Sequence, residues 1–362
     1  MLKRDLTYLT IAGTRFTGWK TADITKSIET CSGKFSFSII TMGDLQKASI
    51  VPGAPCQVAI GNNQLINGYI DKVIPSGDDS GGLSYVIEGR DKTGDIIDCS
   101  AEQAPFKWEA ISLYSLAKVL CQPFNIDVIR STTFDDPRTS CGLEIGETVF
   151  EVLMKFAKAR NVLLTSNNNG DLVIDRPGTE FANDSLVYGK NLKSFTAEYD
   201  GTNRFYKYIV KGQRAGKGNP WSTASKNIKG EAIDEEVRTC RIKSFTPDNG
   251  ETNATAKARA MWEASSRAAQ SEKIEVTTAG FYQSNGILWQ ENKLVNVLIN
   301  TEAIEISTSM NISSVSYSTS SSGMITTMTL KRKDAYEEFV RAKIKGKGKK
   351  AGVNWKAIVN SK

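Results

Sequence analysis

A cluster of acidic and basic side chains lies between Gly89 and Cys99, directly after a predicted strand. Five charged residues fall within nine positions there, namely Arg90, Asp91, Lys92, Asp95 and Asp98. Acids and bases that converge in a cleft with shifted pKa values are typical of acid–base catalysis. Here the signs alternate along a turn, and the apolar pair Ile96 and Ile97 then leads back toward a core. We therefore interpret the segment as a structural corner or a subunit contact whose charges screen one another.

The residue types of this chain give little support to other kinds of catalytic site or to a metal site. The chain has no histidine, which excludes Ser-His-Asp and Cys-His catalysis, histidine metal sites and histidine pH switches. Serine–lysine chemistry, carboxylate pairs and a metal held by carboxylates stay open. The acidic pairs Asp78–Asp79 and Asp135–Asp136 lack the spacing of a calcium loop, so we expect solvated turns. We predict no catalytic, cofactor-binding or metal-binding residue.

Six cysteines are spread along the chain without any C-x-x-C pair: Cys31, Cys56, Cys99, Cys121, Cys141 and Cys240. Structural zinc sites need closely spaced ligands, which this pattern does not provide. The pattern favours reduced and mostly buried thiols in a protein made in a cytoplasm.

The net charge of +6 is concentrated at one end of the 362-residue chain. Eight of the 46 basic residues, and no acid, follow position 340, so residues 1–340 carry 38 basic and 40 acidic residues. A basic, Gly-rich segment without periodicity predicts a disordered tail over 341–362. It is either a solubilising tail that orders only in an assembly or a contact to nucleic acid or acidic protein. The candidate contact residues are Arg341, Lys343, Lys345, Lys347, Lys349 and Lys350.

Residues 1–99 show the alternation of half-buried strands. Gly- and Asn-rich turns separate the predicted strands, which include Leu6–Ile11, Phe35–Ile39, Gln57–Ile60, Asn67–Val73 and Leu83–Glu88. Short strands punctuated in this way favour an antiparallel barrel or sandwich.

The periodicity changes to that of amphipathic helices over residues 100–188. Helices are predicted at 112–121, with Ser112 as the N-cap, and at 147–160. Their apolar faces consist of Leu113, Leu116, Ala117 and Leu120 in the first and Val149, Val152, Leu153 and Phe156 in the second. A strand, a turn at Asn167–Gly170 and another strand complete a small α+β domain.

Residues 189–340 return to β-structure, with Tyr206–Lys211 as the clearest strand. A polar stretch at about 214–230 predicts a mobile loop, and Asn253–Lys273 predicts a helical insertion at about 250–275 that lies on its own domain. The predicted stripe of this helix is Ala254, Ala258, Met261, Trp262, Ser265 and Ala269, whose small residues permit close packing.

A faint internal repeat relates the first and last β regions. Ile70–Val73 and Ile312–Val315 lie 242 positions apart, and Tyr85–Arg90 corresponds to Thr327–Arg332 at the same offset. A third pair consists of Gln57–Ile60 and Leu294–Val297. Duplication and convergence on a strand–turn–strand pattern both stay open as explanations.

The predicted fold class is α+β and β-rich. Two similar antiparallel β-barrel-like domains cover residues 1–99 and 189–340, with a small α+β domain over 100–188 inserted between them and a further small α/β segment. The basic tail covers 341–362.

Several motifs, in chain order, resemble the baseplate hub proteins of phage Mu and Mu-like contractile-tailed phages. They are Phe16–Trp19, Gly68–Asp71, Gly89–Cys99, Glu147–Met154 and Ala159–Asn167, and Asn285–Trp289 is similar to a later motif of that family. The similarity extends over nearly the whole chain, which makes it more specific than any single motif.

The resemblance implies a structural protein, a homotrimeric ring between the sixfold tail tube and the threefold membrane-piercing spike. Two similar domains per subunit would give three subunits a pseudo-sixfold face. The implied partners are other copies of the chain, the trimeric tail spike protein, tail tube or tape-measure components and neighbouring baseplate proteins. DNA is expected only in transit, with no stable membrane insertion and no cofactor.

The expected location is the virion tail baseplate, after assembly in the host bacterial cytoplasm. One alternative is the equivalent hub of a tail-derived injection particle or secretion machine. A hub that also degrades cell wall is disfavoured by the lack of a lysozyme-like region. A stand-alone nucleic-acid-binding protein would require tight DNA binding by the monomer.

Overall fold

The structure is a computed structural model that describes residues 6–41, 50–77, 79, 83–160, 162–178, 180–214, 226–246, 253–321 and 323–333. The chain forms two compact units. Unit 1 comprises Met1–Phe195, Glu275–Asn296 and Asn311–Thr329, and unit 2 comprises Thr196–Ile274, Val297–Met310 and Leu330–Lys362. The predicted β-rich character with few helices is confirmed. The domain boundaries given above stay a prediction.

The strands of the described residues are β1 (Thr7–Ile11), β2 (Thr14–Phe16), β3 (Thr21–Ser27), β4 (Lys34–Thr41), β5 (Pro55–Ile60), β6 (Asn63–Gly77), β7 (Leu83–Asp91), β8 (Lys107–Ile111), β9 (Val128–Arg130), β10 (Thr139–Gly142), β11 (Leu163–Ser166), β12 (Leu172–Asp175), β13 (Leu186–Val187), β14 (Leu192–Tyr199), β15 (Lys207–Arg214), β16 (Lys226–Ile233), β17 (Ile242–Phe245), β18 (Glu272–Ala279), β19 (Leu294–Asn300), β20 (Glu305–Ser320) and β21 (Gly323–Lys331). The α-helices are α1 (Gly94–Asp98), α2 (Leu113–Cys121), α3 (Val149–Arg160) and α4 (Asn253–Gln270), and a 3-10 turn covers Gln122–Phe124. Among the helices described, none is long and apolar enough to cross a membrane.

Unit 1 is built around one large sheet whose neighbouring strands run β18, β21, β20, β3, β4, β7, β6, β5, β1 and β2. Successive side chains of a strand point to opposite faces, so one face can be buried and the other left in solvent. In β3 this alternation buries Ala22 and Ile24 completely, and it places Lys26 on the same buried face.

The pairing of β3 with β20 joins the two ends of the chain within unit 1. The strands are antiparallel, and their register runs from Ala22 opposite Thr319 to Ser27 opposite Ser314. The sheet of unit 1 therefore contains strands from both the first and the last β region of the sequence.

The α+β region of unit 1 follows the predicted pattern. Helix α2 has Ser112 as its N-cap, and the Ser112 hydroxyl accepts a hydrogen bond of 3.2 Å from the Ser115 N–H. The two predicted apolar faces are buried in one core cluster. Strands β11 and β12 form an antiparallel hairpin, and β12 pairs with β9 in parallel. Both predicted helices are confirmed.

Unit 2 contains a three-stranded sheet in which β15 lies between β16 and β17. Helix α4 packs on one face of this sheet, and Tyr208, Val210, Ile228, Ala256 and Ala260 form the core between them. A Cβ atom on Gly230 would lie 2.1 Å from the Lys257 backbone nitrogen, so the glycine permits the close approach of the helix.

The prediction of a mobile loop at about 214–230 is wrong at both ends of this range. Residues 226–230 lie in β16 and residue 214 lies in β15, whereas 215–225 are outside the described residues. The polar composition misled the prediction because β16 is the terminal strand of its sheet among the described residues. Of its positions whose side chains the structure describes, Ile228, Gly230 and Ala232 face the helix, so the strand needs few apolar residues.

The predicted stripe of α4 is also wrong in part. Ala269 is buried as expected, but Met261 is 46% exposed, and Ala256 and Ala260 are buried instead. Alanines occupy every second position in the first turns of α4, so more than one face of the helix is small enough to pack closely on the sheet. The contact of Gly230 with Ala256 determines which face does so.

Candidate functional site

The charged corner divides into an outer and an inner part. On the outside, Arg90 Nε lies 2.7 Å from Asp71 Oδ2, and Arg90 Nη2 lies 2.6 Å from Asp98 Oδ2. The hydrogen bond from Arg90 lowers the pKa of Asp98. Arg90 is thus paired with Asp71 of β6 and with Asp98 of α1. The predicted return to the core is confirmed, because α1 follows and Ile96 is completely buried.

Asp91 belongs to the inner part, and the prediction that its charge is screened by its sequence neighbours is wrong. Its side chain is 2% exposed and accepts hydrogen bonds from the Gly33 N–H at 2.8 Å, the Ser166 hydroxyl at 2.7 Å and the Asn67 N–H at 3.2 Å. Burial raises the pKa of Asp91, and nearby Lys26 and these hydrogen bonds act in the opposite direction. The charge is compensated by distant segments.

Lys26 lies beside this carboxylate in a buried position. Its ammonium donates hydrogen bonds to Asn168 Oδ1 at 3.1 Å and to the Ser166 carbonyl at 3.4 Å. It also lies 3.9 Å from Glu291 Oε1, and the Lys26 side chain is only 4% exposed. One side chain of β3 thus contacts the α+β region and the segment before β19.

The predicted turn Asn167–Gly170 is confirmed, and it packs against β6. The Gln64 amide donates to the Asn168 carbonyl at 2.8 Å, and the Asn67 amide donates to the Asn169 carbonyl at 2.8 Å. A Cβ atom on Gly170 would lie 2.3 Å from the Asn67 carbonyl oxygen. The turn therefore lies directly on the backbone of the first β region.

We name these contacts the polar junction; it consists of Lys26, Gly33, Asn67, Asp91, Ser166 and Asn168. It brings together a serine, a lysine and an aspartate, which are the residue types of serine–lysine chemistry. The Ser166 hydroxyl, however, is already donated to Asp91, and all three side chains are less than a tenth exposed. This arrangement suits a rigid joint between two parts of unit 1.

Sequence reasoning identified Asp91 as notable but missed Lys26 and Ser166. One signal was available for Lys26, since it continues the buried alternation of Ala22 and Ile24 in β3. A lysine on an apolar face predicts a buried polar partner. No local feature distinguished Ser166 from other strand-end serines.

The expectation of a solvated turn at Asp135–Asp136 is wrong for Asp136. Its carboxylate accepts hydrogen bonds from the N–H groups of Leu113 and Tyr114 at the start of α2, and it pairs with Arg160 at 2.6 Å. Burial acts to raise the pKa of Asp136, but these interactions outweigh it and lower the pKa. Asp136 therefore links the N-terminus of α2 to the end of α3.

The remaining candidates concern metals, thiols and the tail. In the part of the chain that the structure describes, no three acidic or thiol side chains are grouped to hold a metal ion. All six cysteines are free, and four are buried, as predicted. Burial raises the pKa of Cys56 and of Cys121 to about 12. Asp78 and the basic residues of the predicted contact tail lie outside the described residues.

Several large apolar side chains of the described residues are exposed. In unit 1, Ile40 and Leu83 are exposed at the same end of the β4–β7 pair. Phe106 and Ile145 are exposed near the backbone hydrogen bond between the Leu143 N–H and the Phe106 carbonyl. In unit 2, Ile233, Ile242 and Met261 are exposed. Sequence reasoning did not single out these residues, because an isolated apolar side chain carries no pattern.

Family models match three segments of the chain. The model described as baseplate hub protein gp44-like, second domain, matches residues 93–176. The N-terminal model of the Mu phage baseplate assembly protein GpP-like group matches residues 7–91, and the GpP fourth-domain model matches residues 252–338.

Whole-chain comparisons agree with these matches. The baseplate hub protein gp44 of Escherichia phage Mu is 34% identical over 303 residues, which are 81% of this chain and 79% of that protein. The 43 kDa tail protein of prophage MuSo2 from Shewanella oneidensis is 31% identical, with a TM-score of 0.80 over 91% of this chain and 99% of that chain. A tail protein from Neisseria meningitidis MC58, 22% identical, has the same fold, with a TM-score of 0.75 over 91% of this chain and 97% of that one. The chain belongs to the family of Mu-type baseplate hub proteins and is a structural hub of a contractile tail baseplate.

Proposed function

We propose that three copies of this hub form a closed ring that joins the sixfold tail tube to the threefold spike. The ring leaves a channel through which DNA passes during ejection. The single observation that carries the proposal is a matched pair of three-stranded meanders in the chain.

The first meander is β5–β6–β7 and the second is β19–β20–β21. In each, the middle strand is the longest, with 15 residues in β6 and 16 in β20. The last strand has nine residues in both cases. The sequence offset of 242 carries residues 63–77 of β6 onto residues 305–319 of β20. Matched order, length and offset support duplication of one barrel-like domain and weaken convergence as an explanation.

Such a duplication has a direct consequence for symmetry. Three chains with two similar domains each present six similar elements around one axis, while the ring as a whole keeps threefold symmetry. A closed cyclic assembly of this kind can meet a sixfold ring on one side and a threefold spike on the other.

The partners of the ring are the spike on one face and tube, tape-measure or other baseplate components on the opposite face. Assembly takes place in the host cytoplasm, and the ring acts without inserting stably into a membrane. Its role is mechanical and not enzymatic, which agrees with a buried polar junction whose serine is already engaged.

Light scattering of the purified chain tests the proposal. A solution mass about three times the chain mass of 39.7 kDa, together with retention of the spike trimer in a pull-down, is expected. A strict monomer at every concentration, with no spike binding, would contradict the ring.

A peptidoglycan-release assay tests the non-enzymatic role separately. We expect no release above that of a heat-denatured sample. Reproducible release by the native protein would show that this hub also degrades cell wall.

A further inference from the structure

The side chains of Lys26 and Asn168 lie against each other in unit 1, although 142 residues separate them in the sequence. Lys26 Nζ lies 3.1 Å from Asn168 Oδ1. A lysine ammonium has only donors, so the atom of the carboxamide that faces it is the oxygen. The carboxamide carbon Cγ is one bond beyond that oxygen. An amine nitrogen is therefore held next to an electrophilic carbon.

Both side chains are held in place by the backbone around them. Lys26 continues the buried alternation of β3, and its side chain is only 4% exposed. Its ammonium also donates to the Ser166 carbonyl at 3.4 Å, which fixes the direction of the side chain. The turn that carries Asn168 is held by the Gln64 amide, which donates to the Asn168 carbonyl at 2.8 Å. The contact of the two side chains thus belongs to the rigid polar junction.

Two carboxyl groups accompany the pair. Asp91 is 2% exposed and already accepts three hydrogen bonds, so its oxygens are engaged. Glu291 Oε1 lies 3.9 Å from Lys26 Nζ, and the Glu291 side chain is 20% exposed. A group that takes or gives a proton in a reaction must lie within reach of the reacting atom, directly or through one water. Glu291 is the carboxyl group placed to move a proton at Nζ.

An amine, a carboxamide and a carboxyl group are the components needed to form an amide bond between two side chains. Carboxamides are weak electrophiles, so lysine and asparagine do not react at a useful rate when they are free in water. Fixed contact changes this, because well-oriented groups in one molecule react as if their concentration were about 10⁵–10⁸ M. Burial of the amine also excludes water from the reaction.

We propose that Lys26 and Asn168 form an intramolecular isopeptide bond after the chain folds, with Glu291 as the proton carrier. The Lys26 ammonium gives one proton to the Glu291 carboxylate, and the neutral Nζ attacks Asn168 Cγ. The Nζ–Cγ bond forms, a second proton passes from Nζ to Nδ2, and the Cγ–Nδ2 bond breaks to release ammonia. Glu291 then gives its proton to the ammonia. The products are one secondary amide and one ammonium ion, and no electrons are exchanged with another molecule.

The bond links β3 to the turn between β11 and β12, across a sequence separation of 142 residues. A hydrogen bond breaks and re-forms as a protein fluctuates, whereas an amide bond persists. A covalent link at the polar junction keeps two parts of unit 1 together when the tail contracts.

Intact-mass spectrometry of the purified full-length chain tests the proposal, after overnight incubation of the folded protein. The expected mass is lower than the mass of the sequence by one ammonia. Lys26→Arg keeps the positive charge but removes the amine, and Asn168→Ala removes the carboxamide, so both variants are expected to keep the full masses of their sequences. An unmodified chain that has lost no ammonia would overturn the proposal, whether or not the variants fold.

Peptide mapping locates the bond. An Asn-Gly sequence can also lose ammonia by closing to a succinimide, and Asn169–Gly170 is such a sequence. Trypsin does not cleave after an acylated lysine, so we expect a peptide of residues 21–34 joined to a peptide of residues 161–190. Asn169→Ala is the matched control, because it removes the neighbouring carboxamide and should keep the joined peptide. Complete cleavage after Lys26 in chains that have lost ammonia would overturn the proposal.

Glu291→Gln tests the proton carrier. Glutamine has nearly the same shape but cannot accept the proton, so bond formation is expected to slow by at least about a hundredfold. The measurement is the fraction of cross-linked chain at successive times after a pulse of protein synthesis, with circular dichroism to verify folding. Glu102→Gln makes the same change at an exposed position of unit 1 and should leave the rate unchanged. Equal rates for a folded Glu291→Gln protein and the unmodified chain would overturn the role of Glu291.

Discussion

The hydroxyl of Ser166 donates a hydrogen bond of 2.7 Å to the buried carboxylate of Asp91, 75 residues earlier in the chain. Asp91 closes β7 at the end of the first β region, and Ser166 ends β11 in the α+β region. The motif that first suggested chemistry is therefore a joint between two parts of unit 1.

Loss of this hydrogen bond is expected to destabilise the protein. Ser166→Ala leaves the Asp91 carboxylate with fewer donors, and hydrogen bonds to charged groups contribute about 2 kcal/mol. The measurement is the free energy of urea unfolding at one fixed protein concentration, since oligomerisation also affects stability. Ser84→Ala on β7 is the control and is expected to change the free energy by less than about 0.5 kcal/mol. Equal effects of the two changes would contradict a specific role for Ser166.

Asp91 and Asp136 are expected to give pH dependences of opposite sign. Burial raises the folded pKa of Asp91, so its favourable contribution is complete below the ordinary value of 3.8 and is lost as the pH rises through the raised pKa. The folded pKa of Asp136 is lowered, so its contribution is complete above 3.8 and is lost as the pH falls through the lowered pKa.

The measurement compares the unfolding free energy of the unmodified chain with Asp91→Asn and Asp136→Asn from about pH 3 to about pH 7. As the pH falls, the unfolding free energy of the unmodified chain should increase relative to that of Asp91→Asn. Relative to that of Asp136→Asn, it should decrease. Slopes of the same sign would show that one of the two assignments is wrong.

Asn311→Leu is expected to stabilise the protein. Asn311 is completely buried, and neither atom of its amide has a hydrogen-bond partner among the described residues. Leucine has the same branched outline without the cost of burying an unpaired polar group, so a gain of about 1 kcal/mol is expected.

Asn292→Leu provides the contrast, because the Asn292 side chain accepts from the Gly178 N–H at 2.7 Å and donates to Asp175 Oδ2 at 3.1 Å. That variant should lose stability when the free energies of urea unfolding of the two variants and the unmodified chain are compared. Destabilisation of both variants to the same extent would mean that the Asn311 amide has a partner after all.

Gly89→Ala is expected to prevent folding. A Cβ atom at this position would lie 2.2 Å from the Tyr69 carbonyl oxygen and 2.6 Å from the Phe35 ring, and the backbone oxygen cannot move without breaking the β6–β7 pairing. The cost of such overpacking exceeds about 3 kcal/mol. Gly142→Ala, which meets nothing within 4 Å, is the control. Soluble yield and circular dichroism report the result, and a folded Gly89→Ala protein would refute the close approach.

The sequence predicted the elements whose stabilising pattern is local. Alternation located β1, β4, β5, β6 and β7, and helical spacing with a serine cap located α2 and α3. The family followed from motifs that occur in the expected order along most of the chain.

The errors concern residues whose state depends on partners distant in sequence. The first five residues of β16 were predicted to belong to a loop, because their strand character comes from pairing with β15 and from α4 packing on Gly230. Asp136 was expected to be solvated, because its three donors come from the ends of two helices. The buried lysine of the polar junction was missed because its partners lie 140 or more residues later.

The antiparallel pairing of β3 with β20 has a consequence for synthesis on the ribosome. Strand β3 emerges early, but the strand that covers its edge ends near residue 319. At about 5–20 residues per second, roughly 15–60 s pass before the partner strand is available. During that interval the nascent chain presents an open strand edge, which is a site of aggregation. Slower translation, or a chaperone that covers β3, should therefore change the yield of folded hub protein. Either one should change the stability of the folded protein much less.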